Sequence, residues 1–358
     1  MFKDFYKGKR VFITGHTGFK GSWLSLWLKK LGATVKGYAL APNTTPSLFN
    51  ELNIENIIDY STIGNITNYN LLSKSISEFK PDIIFHLAAQ PLVRESYLNP
   101  IETYTTNVIG TLNVLEATKN CSSVKALVNV TTDKCYQNKK QLTGYKEGDQ
   151  LGGDDIYSSS KACSEILSAS YRNSFLRDKK AFALATARAG NVIGGGDWAK
   201  DRIIPDCVLA INQNKSIELR NPHATRPWQH VLEPLSGYLL LAKNLYLEGH
   251  KYADCFNFGP YEDNILQVQE LVKQIIDIYQ KGSISIKPQD NLPEAELLAL
   301  NIDKAKSVLG WIPTYDTTLA IKETIDWYKY YYEQKDNLLD YTLAQIENYE
   351  EKINWKLN

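Results

Sequence analysis

Arg10-Val-Phe-Ile-Thr-Gly-His-Thr-Gly-Phe-Lys-Gly-Ser-Trp-Leu24 is the stretch on which the fold turns. Arg10–Thr14 is a β-rich apolar run that reads as a buried strand, and from Trp23 to Leu31 the apolar residues recur as on an amphipathic helix. Between them stand Gly15, Gly18 and Gly21, with Thr17, Phe19 and Lys20 filling the spaces. Glycine permits a tight turn and lets the backbone approach a pyrophosphate, while the free N–H groups and dipole of a helix N-terminus favour an anion. Lys20 either adds a positive charge beside such a diphosphate or stands as a solvated lysine at a helix start.

The alternation continues outward. Thr34–Leu40, Pro81–Ala88, Val124–Thr131 and Ala181–Ala187 read as further strands, separated by helical patterns around Asn70–Phe79, Thr103–Lys119 and Tyr157–Ser174. Strands alternating with helices predict an α/β protein with a doubly wound parallel (Rossmann) sheet, its binding crevice beyond the carboxyl ends of the strands. After about residue 190 the pattern shortens. Gly194-Gly-Gly-Asp197, Arg220-Asn-Pro222 and Arg226-Pro-Trp228 punctuate it, and the chain is helical and rich in Tyr and Trp from Leu319. The expected division is a dinucleotide-binding domain over 1–188 and a smaller C-terminal α/β substrate-binding lobe over 189–358. A segment near 231–260 is expected to return to the first domain, and the run Trp327–Tyr332 to pack on its own lobe.

Composition narrows the partners. In 358 residues, 40 Lys and Arg balance 40 Asp and Glu, so a general nucleic-acid or anionic-membrane role is not expected and any charged ligand needs a local cluster. Five cysteines without a CxxC pair predict free thiols in a reducing cytoplasm, with neither a disulfide framework nor a metal site. Met1–Arg10 leads into a strand without a signal-peptide pattern, and apolar runs such as Tyr238–Ala242 are too short to cross a bilayer.

Tyr157-Ser-Ser-Ser-Lys161 puts a phenol and an ammonium on one face of a helix, because residues i and i+4 are neighbours there. With 22 tyrosines YxxxK alone is weak, so the weight rests on Asn129-Val-Thr-Thr132, a strand end carrying a hydroxyl upstream of it. A tyrosine base near neutrality needs its pKa lowered by about three units, roughly 4 kcal/mol, from the lysine and a cationic nicotinamide. The stretch Tyr38–Asn43 after the second strand holds neither the acid that would bind ribose hydroxyls nor an Arg for a 2′-phosphate, and NAD is the cofactor chosen over NADP.

Over roughly residues 9–330 the sequence resembles the extended short-chain dehydrogenase/reductase family, through TGHTGFKG (Thr14–Gly21), HLAAQ (His86–Gln90), TNVIGT (Thr106–Thr111), the Thr132 strand end and YSSSK (Tyr157–Lys161). The resemblance implies that Thr132 hydrogen-bonds a sugar 4-hydroxyl, Tyr157 acts as base, and Lys161 holds the nicotinamide ribose. It also implies cofactor contacts from Gly15, Thr17, Gly18, Phe19, Lys20, Gly21, Asn65, Ile66, Leu87, Ala88, Ala89, Gln90 and Asn107, with Asn65 standing where relatives place an adenine-contacting aspartate. Asp133 and Lys134 after Thr132 are similar to the sugar-nucleotide 4,6-dehydratases, in particular the branch acting on CDP-glucose. That branch is also resembled at Gln90–Arg94, Gly194–Trp198, Arg226–His230 and Leu309–Trp311.

The implied roles are a neutral Lys134 as base at C5 and a protonated Asp133 as acid at the C6 oxygen. Arg94, Asn191, Arg202, Arg220 and Arg226 are candidates for the substrate, the second-lobe residues for its diphosphate, with Trp198 or Trp228 on the cytosine or the sugar. The family implies a homodimer through helices near Thr103–Lys119 and Tyr157–Ser174, or a homotetramer. A 4,6-dehydratase or 4-epimerase for another nucleotide hexose, and a non-catalytic nucleotide-binding scaffold, stay open at this point.

Overall fold

The computed structural model describes residues 2–141, 143–177, 182–261, 265–287, 298–334 and 336–355. Its centre is a sheet of β1 (Arg10–Thr14), β2 (Thr34–Ala39), β3 (Tyr60–Ile63), β4 (Ile83–His86), β5 (Ala126–Val130), β6 (Ala183–Ala189) and β7 (Cys255–Phe258). The order is β7-β6-β5-β4-β1-β2-β3 and every pairing is parallel. The longer helices are α1 (Phe19–Lys30), α2 (Tyr69–Phe79), α3 (Thr111–Lys119), α4 (Ile156–Phe175), α5 (Ile203–Asn212), α6 (Leu232–Glu248), α7 (Val268–Tyr279), α8 (Thr317–Glu333) and α9 (Leu338–Lys352).

Side chains alternate across a strand, and the core divides accordingly. Val11, Ile13, Phe85, Val128 and Ala185 face the layer of α1 and α6, whereas Phe12, Ile84, Leu127 and Leu184 face α2, α3 and α4. Burial on both faces is why β4, β5 and β6 read as mainly apolar runs, interrupted by His86, Asn129, Thr186 and Arg188. The strand order reverses between β1 and β4, and Thr14 at the end of β1 lies level with His86 on one side and Tyr38 on the other. A crevice opens at such a reversal.

α6 and β7 come from the region after residue 230 yet complete the layers of the N-terminal sheet. The rest of the second lobe pairs short strands, Ile217–Leu219 with Ile284–Ile286 and Thr225–Arg226 with Leu266–Gln267, among α5, α7 and α8. The helix predicted over Thr103–Lys119 is interrupted: Pro100–Tyr104 and α3 flank wider turns through Thr105–Gly110. At Gly110 a methyl group would sit 2.5 Å from Ile66 Cδ1, so this segment packs closely on the loop after β3. The expected strand Ala181–Ala187 appears as β6, Ala183–Ala189, with Ala181 outside the described residues. The five cysteines are free thiols. No helix among the described residues is long and apolar enough to cross a membrane.

Glu233, at the start of α6, ties the C-terminal segments to the core. Its carboxylate accepts the backbone N–H of Thr314 and, at 2.6 Å, of Tyr315, and the Tyr349 hydroxyl at 2.9 Å. Burial outweighs these three donors and pushes its pKa up to about 7. The folded chain therefore binds a proton that the unfolded chain has released. The stability from this proton is complete below the ordinary glutamate pKa and is lost as pH rises towards 7, by about 3 kcal/mol at most. Glu233→Gln should flatten this part of the pH–stability curve between roughly pH 4.5 and 7, as denaturant unfolding at several pH values would show.

Candidate active site

The glycine turn leaves β1 with Gly15 at φ +81, where a side chain would be strained, and with the Gly15 N–H donated to the Tyr38 carbonyl at 2.9 Å. A methyl at Gly15 would lie 2.7 Å from the Ala88 nitrogen, and one at Gly21 would overlap the Gly15 carbonyl. Between them α1 starts at Gly18 with no side-chain cap and no acid in its first turn. Its first N–H groups are thus free to meet an anion. The opposite wall is the loop after β4: Leu87 N–H donates to the Thr14 carbonyl (3.0 Å) and Ala88 N–H to Thr14 Oγ1 (3.2 Å), beside Ala89. This cradle fits a dinucleotide diphosphate, and Gly21→Ala should abolish dinucleotide binding in a titration and lower the melting temperature. Overpacking of this kind costs about 1–3 kcal/mol.

Beyond the turn, Thr17 Oγ1 donates to the Leu40 carbonyl at 2.8 Å. The buried His16 ring packs edge-on to Phe49, touches Ser61 Oγ through Nε2 at 2.9 Å, and lies where a side chain on Gly37 would stand. Burial pushes His16 down to about 4, so the ring is neutral at pH 7. Asn65 lines a cleft of about 450 Å³ with Leu98, Ile101 and Thr105, but its Oδ1 is occupied by the Thr67 N–H at 2.9 Å. Ile66 is buried. Gln90 and Asn107 bind each other's loops instead of projecting into the crevice: Asn107 Oδ1 accepts the Gln90 N–H at 2.8 Å and its Nδ2 reaches Ser160 Oγ at 2.9 Å, while Gln90 Nε2 holds Thr103. They shape the wall with side chains that are already used.

Where β5 ends, Thr132 caps the short turn Asp133–Cys135 and gives its hydroxyl hydrogen to Asp133 Oδ1 at 2.9 Å. On α4, whose first turn is capped by Asp155, Tyr157 and Lys161 come up against this turn. Tyr157 lies close enough to Thr132 for that hydroxyl to favour its phenolate, and Lys161 Nζ donates to the Val130 carbonyl at 3.3 Å. Tyr157, Lys161, Thr132 and Asp133 are all buried. A side chain at Gly190 would collide with the Asp133 carboxylate, whose Oδ2 also receives Asn191 Nδ2 at 3.4 Å. Lys134 is half-buried, and its ammonium makes no hydrogen bond among the described residues.

In the chain alone the Tyr157 phenol is pushed up to about 12, because burial and the Asp133 charge outweigh the Thr132 hydrogen bond and Arg202. Burial likewise brings Lys161 down to about 8 against the opposing pull of Glu165. Lys20 is neither solvated nor remote: its ammonium lies 5.9 Å from the Tyr238 ring, and burial followed by the charges of Arg202 and Lys161 takes it down to about 7.

The second lobe divides the remaining candidates. Arg202 pairs with Asp197 at 2.5 Å and is close enough to Tyr157 to favour its phenolate. Arg94 and Arg220 both reach Asp201, at 3.3 and 3.1 Å. Arg226 donates to the Thr225 carbonyl at 2.8 Å. Trp198 and Trp228 are both buried. Trp198 is 7% exposed with its ring 5.1–5.9 Å from those of Trp327, Tyr328 and Tyr331, and Trp228 is equally buried in the same core. Three aromatic rings pack edge-on around Trp198, which serves there as a packing group.

The family model described as GDP-mannose 4,6 dehydratase matches residues 12–324. The chain belongs to that family. Among curated relatives of this GDP-mannose 4,6-dehydratase family member, a CDP-glucose 4,6-dehydratase of Salmonella typhimurium is 48% identical over 94% of this chain and 95% of its own. Among solved structures, dTDP-glucose 4,6-dehydratase of Bacillus anthracis in complex with NAD is 26% identical with a TM-score of 0.76, covering 92% of this chain and all of the other. An epimerase of Methanothermobacter thermautotrophicus, 22% identical over 93% of this chain and 96% of its own, shares the fold with a TM-score of 0.80.

In this 4,6-dehydratase family member a buried ion pair supports the site from behind. Glu165, one turn beyond Lys161, and Arg188, the charged residue in the apolar strand β6, form a buried pair at 2.8 Å. The Glu165 carboxylate also accepts Thr131 Oγ1 (2.5 Å) and Thr186 Oγ1 (2.8 Å), fixing the strand end that presents Thr132. The available signal was an arginine inside a buried strand, since a buried charge must be paired. Among the described residues no three His, Cys, Asp or Glu stand together as metal ligands.

Proposed function

We infer that the chain catalyses NAD-dependent dehydration of CDP-glucose to CDP-4-keto-6-deoxyglucose. The observation that carries this is the convergence of Tyr157 on the turn where Thr132 is hydrogen-bonded to Asp133, with Lys134 next in sequence. It joins a group able to take a hydroxyl proton to an acid and a second base, a pairing that C4 epimerisation does not require. The 48% identical CDP-glucose 4,6-dehydratase supports the nucleotide, and the NAD-bound dTDP-glucose 4,6-dehydratase supports the cofactor.

The Gly15–Gly21 cradle would hold NAD, which when bound would supply a hydride acceptor at C4, regenerated by hydride donation at C6, and a positive ring charge favouring the Tyr157 phenolate. Tyr157, aligned by Thr132, takes the C4-hydroxyl proton. Lys134 removes the C5 proton, made acidic by the new C4 ketone, and Asp133, which must first take up a proton such as the one released from the C4 hydroxyl, delivers it to the C6 oxygen, which leaves as water. A proton then returns to C5. Arg94, Arg202, Arg220 and Arg226 neutralise the substrate diphosphate, as guanidinium forks do well, and Asn191 offers it an amide hydrogen bond. Ile109 and Ile166, exposed on the segments expected to pair with a second copy, support a homodimer.

The test is turnover of a panel of nucleotide hexoses, following 4-keto product in alkali and deuterium transfer from C4 to C6. Turnover of CDP-glucose with intramolecular transfer is expected. Turnover of a different nucleotide sugar in its place overturns the substrate, and release of NADP from the denatured protein overturns the cofactor.

A further inference from the structure

Arg94 lies on the segment Val93–Leu98 after β4, and Arg220 follows the second-lobe strand Ile217–Leu219. The two guanidinium groups come from opposite sides of the cleft and meet on one carboxylate oxygen, Asp201 Oδ1. Asp201 immediately precedes Arg202, whose charge reaches the Tyr157 phenol, so the trio stands next to the catalytic centre. All three side chains are partly exposed, at 31–44%, and Asp201 sits at φ +61, a backbone state that Asp and Asn tolerate better than most residues. Asp206, on the first turn of α5, faces the same arginines, and burial together with the Asp201 charge pushes it up to about 6.

We propose that Asp201 is a stand-in for the substrate diphosphate. It holds Arg94 and Arg220 together while the cleft is empty and gives them up when CDP-glucose arrives. This rests on the reading that these two arginines take the diphosphate. A single carboxylate satisfies two forks incompletely, whereas a diphosphate presents more acceptor oxygens and more charge, so exchange favours the substrate. Partly exposed ion pairs are weak, which makes the clamp releasable. Asp201 in this role is a positioning residue that sets affinity and does not touch the reacting carbons.

The experiment measures binding of CDP, cytidine and NAD by calorimetry to the wild-type chain and to Asp201→Asn, Asp201→Gly, Arg94→Gln and Arg220→Gln. Asn and Gly both suit the left-handed backbone at 201, so either variant serves if the other fails to fold. Both Asp201 variants should bind CDP about two- to tenfold more tightly, with cytidine and NAD affinities unchanged, and the arginine variants should bind CDP more weakly. CDP binding that is unchanged or weaker in the Asp201 variants, alongside weakened arginine variants, overturns the stand-in and leaves the diphosphate assignment intact. An equal gain for cytidine overturns it too. If both arginine variants bind CDP as the wild type does, the assignment of the arginines fails first, and the stand-in with it.

Discussion

Replacing Tyr157 by phenylalanine should lower kcat for CDP-glucose by about 10²–10⁴-fold, the usual contribution of one positioned proton acceptor. The ring would still fill its buried place at the head of α4, so the loss would report chemistry and not folding. No other residue takes over easily: Thr132 spends its hydrogen on Asp133 Oδ1, and Lys161 faces the Val130 carbonyl. In a stopped-flow experiment with NAD bound, the variant should bind CDP as tightly as the wild type but show no rise in reduced-nicotinamide absorbance on adding CDP-glucose. Retention of activity within tenfold would remove Tyr157 from its assigned role.

Asp133→Asn should separate the two halves of the reaction. Asparagine keeps a carbonyl oxygen for the Thr132 hydroxyl, so the geometry around Tyr157 survives, but it has no proton to give the departing C6 oxygen. C4 oxidation should proceed, seen as reduced nicotinamide after a single addition of CDP-glucose. Formation of 6-deoxy product should fall by about 10²–10⁴-fold. Gly190 allows the carboxylate to lie against the backbone, and the near-isosteric amide fits the same space. An enzyme that only inverts C4 would barely respond, so undiminished product release from this variant would exclude the dehydratase assignment.

The parallel sheet was legible because its inner strands are apolar on both faces and its first turn is spelled in glycine. β3 was not read, since Tyr60–Ile63 is an edge strand with little burial and no apolar alternation. α1 begins at Phe19, earlier than Trp23, because Gly18 starts the helix without the side-chain cap that marks most N-termini. The proposed catalytic residues stood out as local spacing on one strand end and one helix face. What spacing could not convey was competition: Trp198 and Trp228 look alike as stacking residues or as core until Trp327, Tyr328 and Tyr331 are seen to surround the first. Likewise Arg94, Arg220 and Asp201, far apart in the chain, carry no common signal until the lobes bring them together.

The place of β7 at the edge of the sheet has a consequence for the chain as it is made. Its partner β6 is finished at Ala189, but Cys255–Phe258 pairs with it only after α5 and α6 have been synthesised. At about 5–20 residues per second, the nascent polypeptide carries an open strand edge for roughly 3–13 s. An open edge invites pairing with other chains. The same interleaving means that severing the polypeptide after β6 would not yield two self-sufficient halves: the N-terminal piece would lack both its last strand and α6, the helix that covers one face of its core.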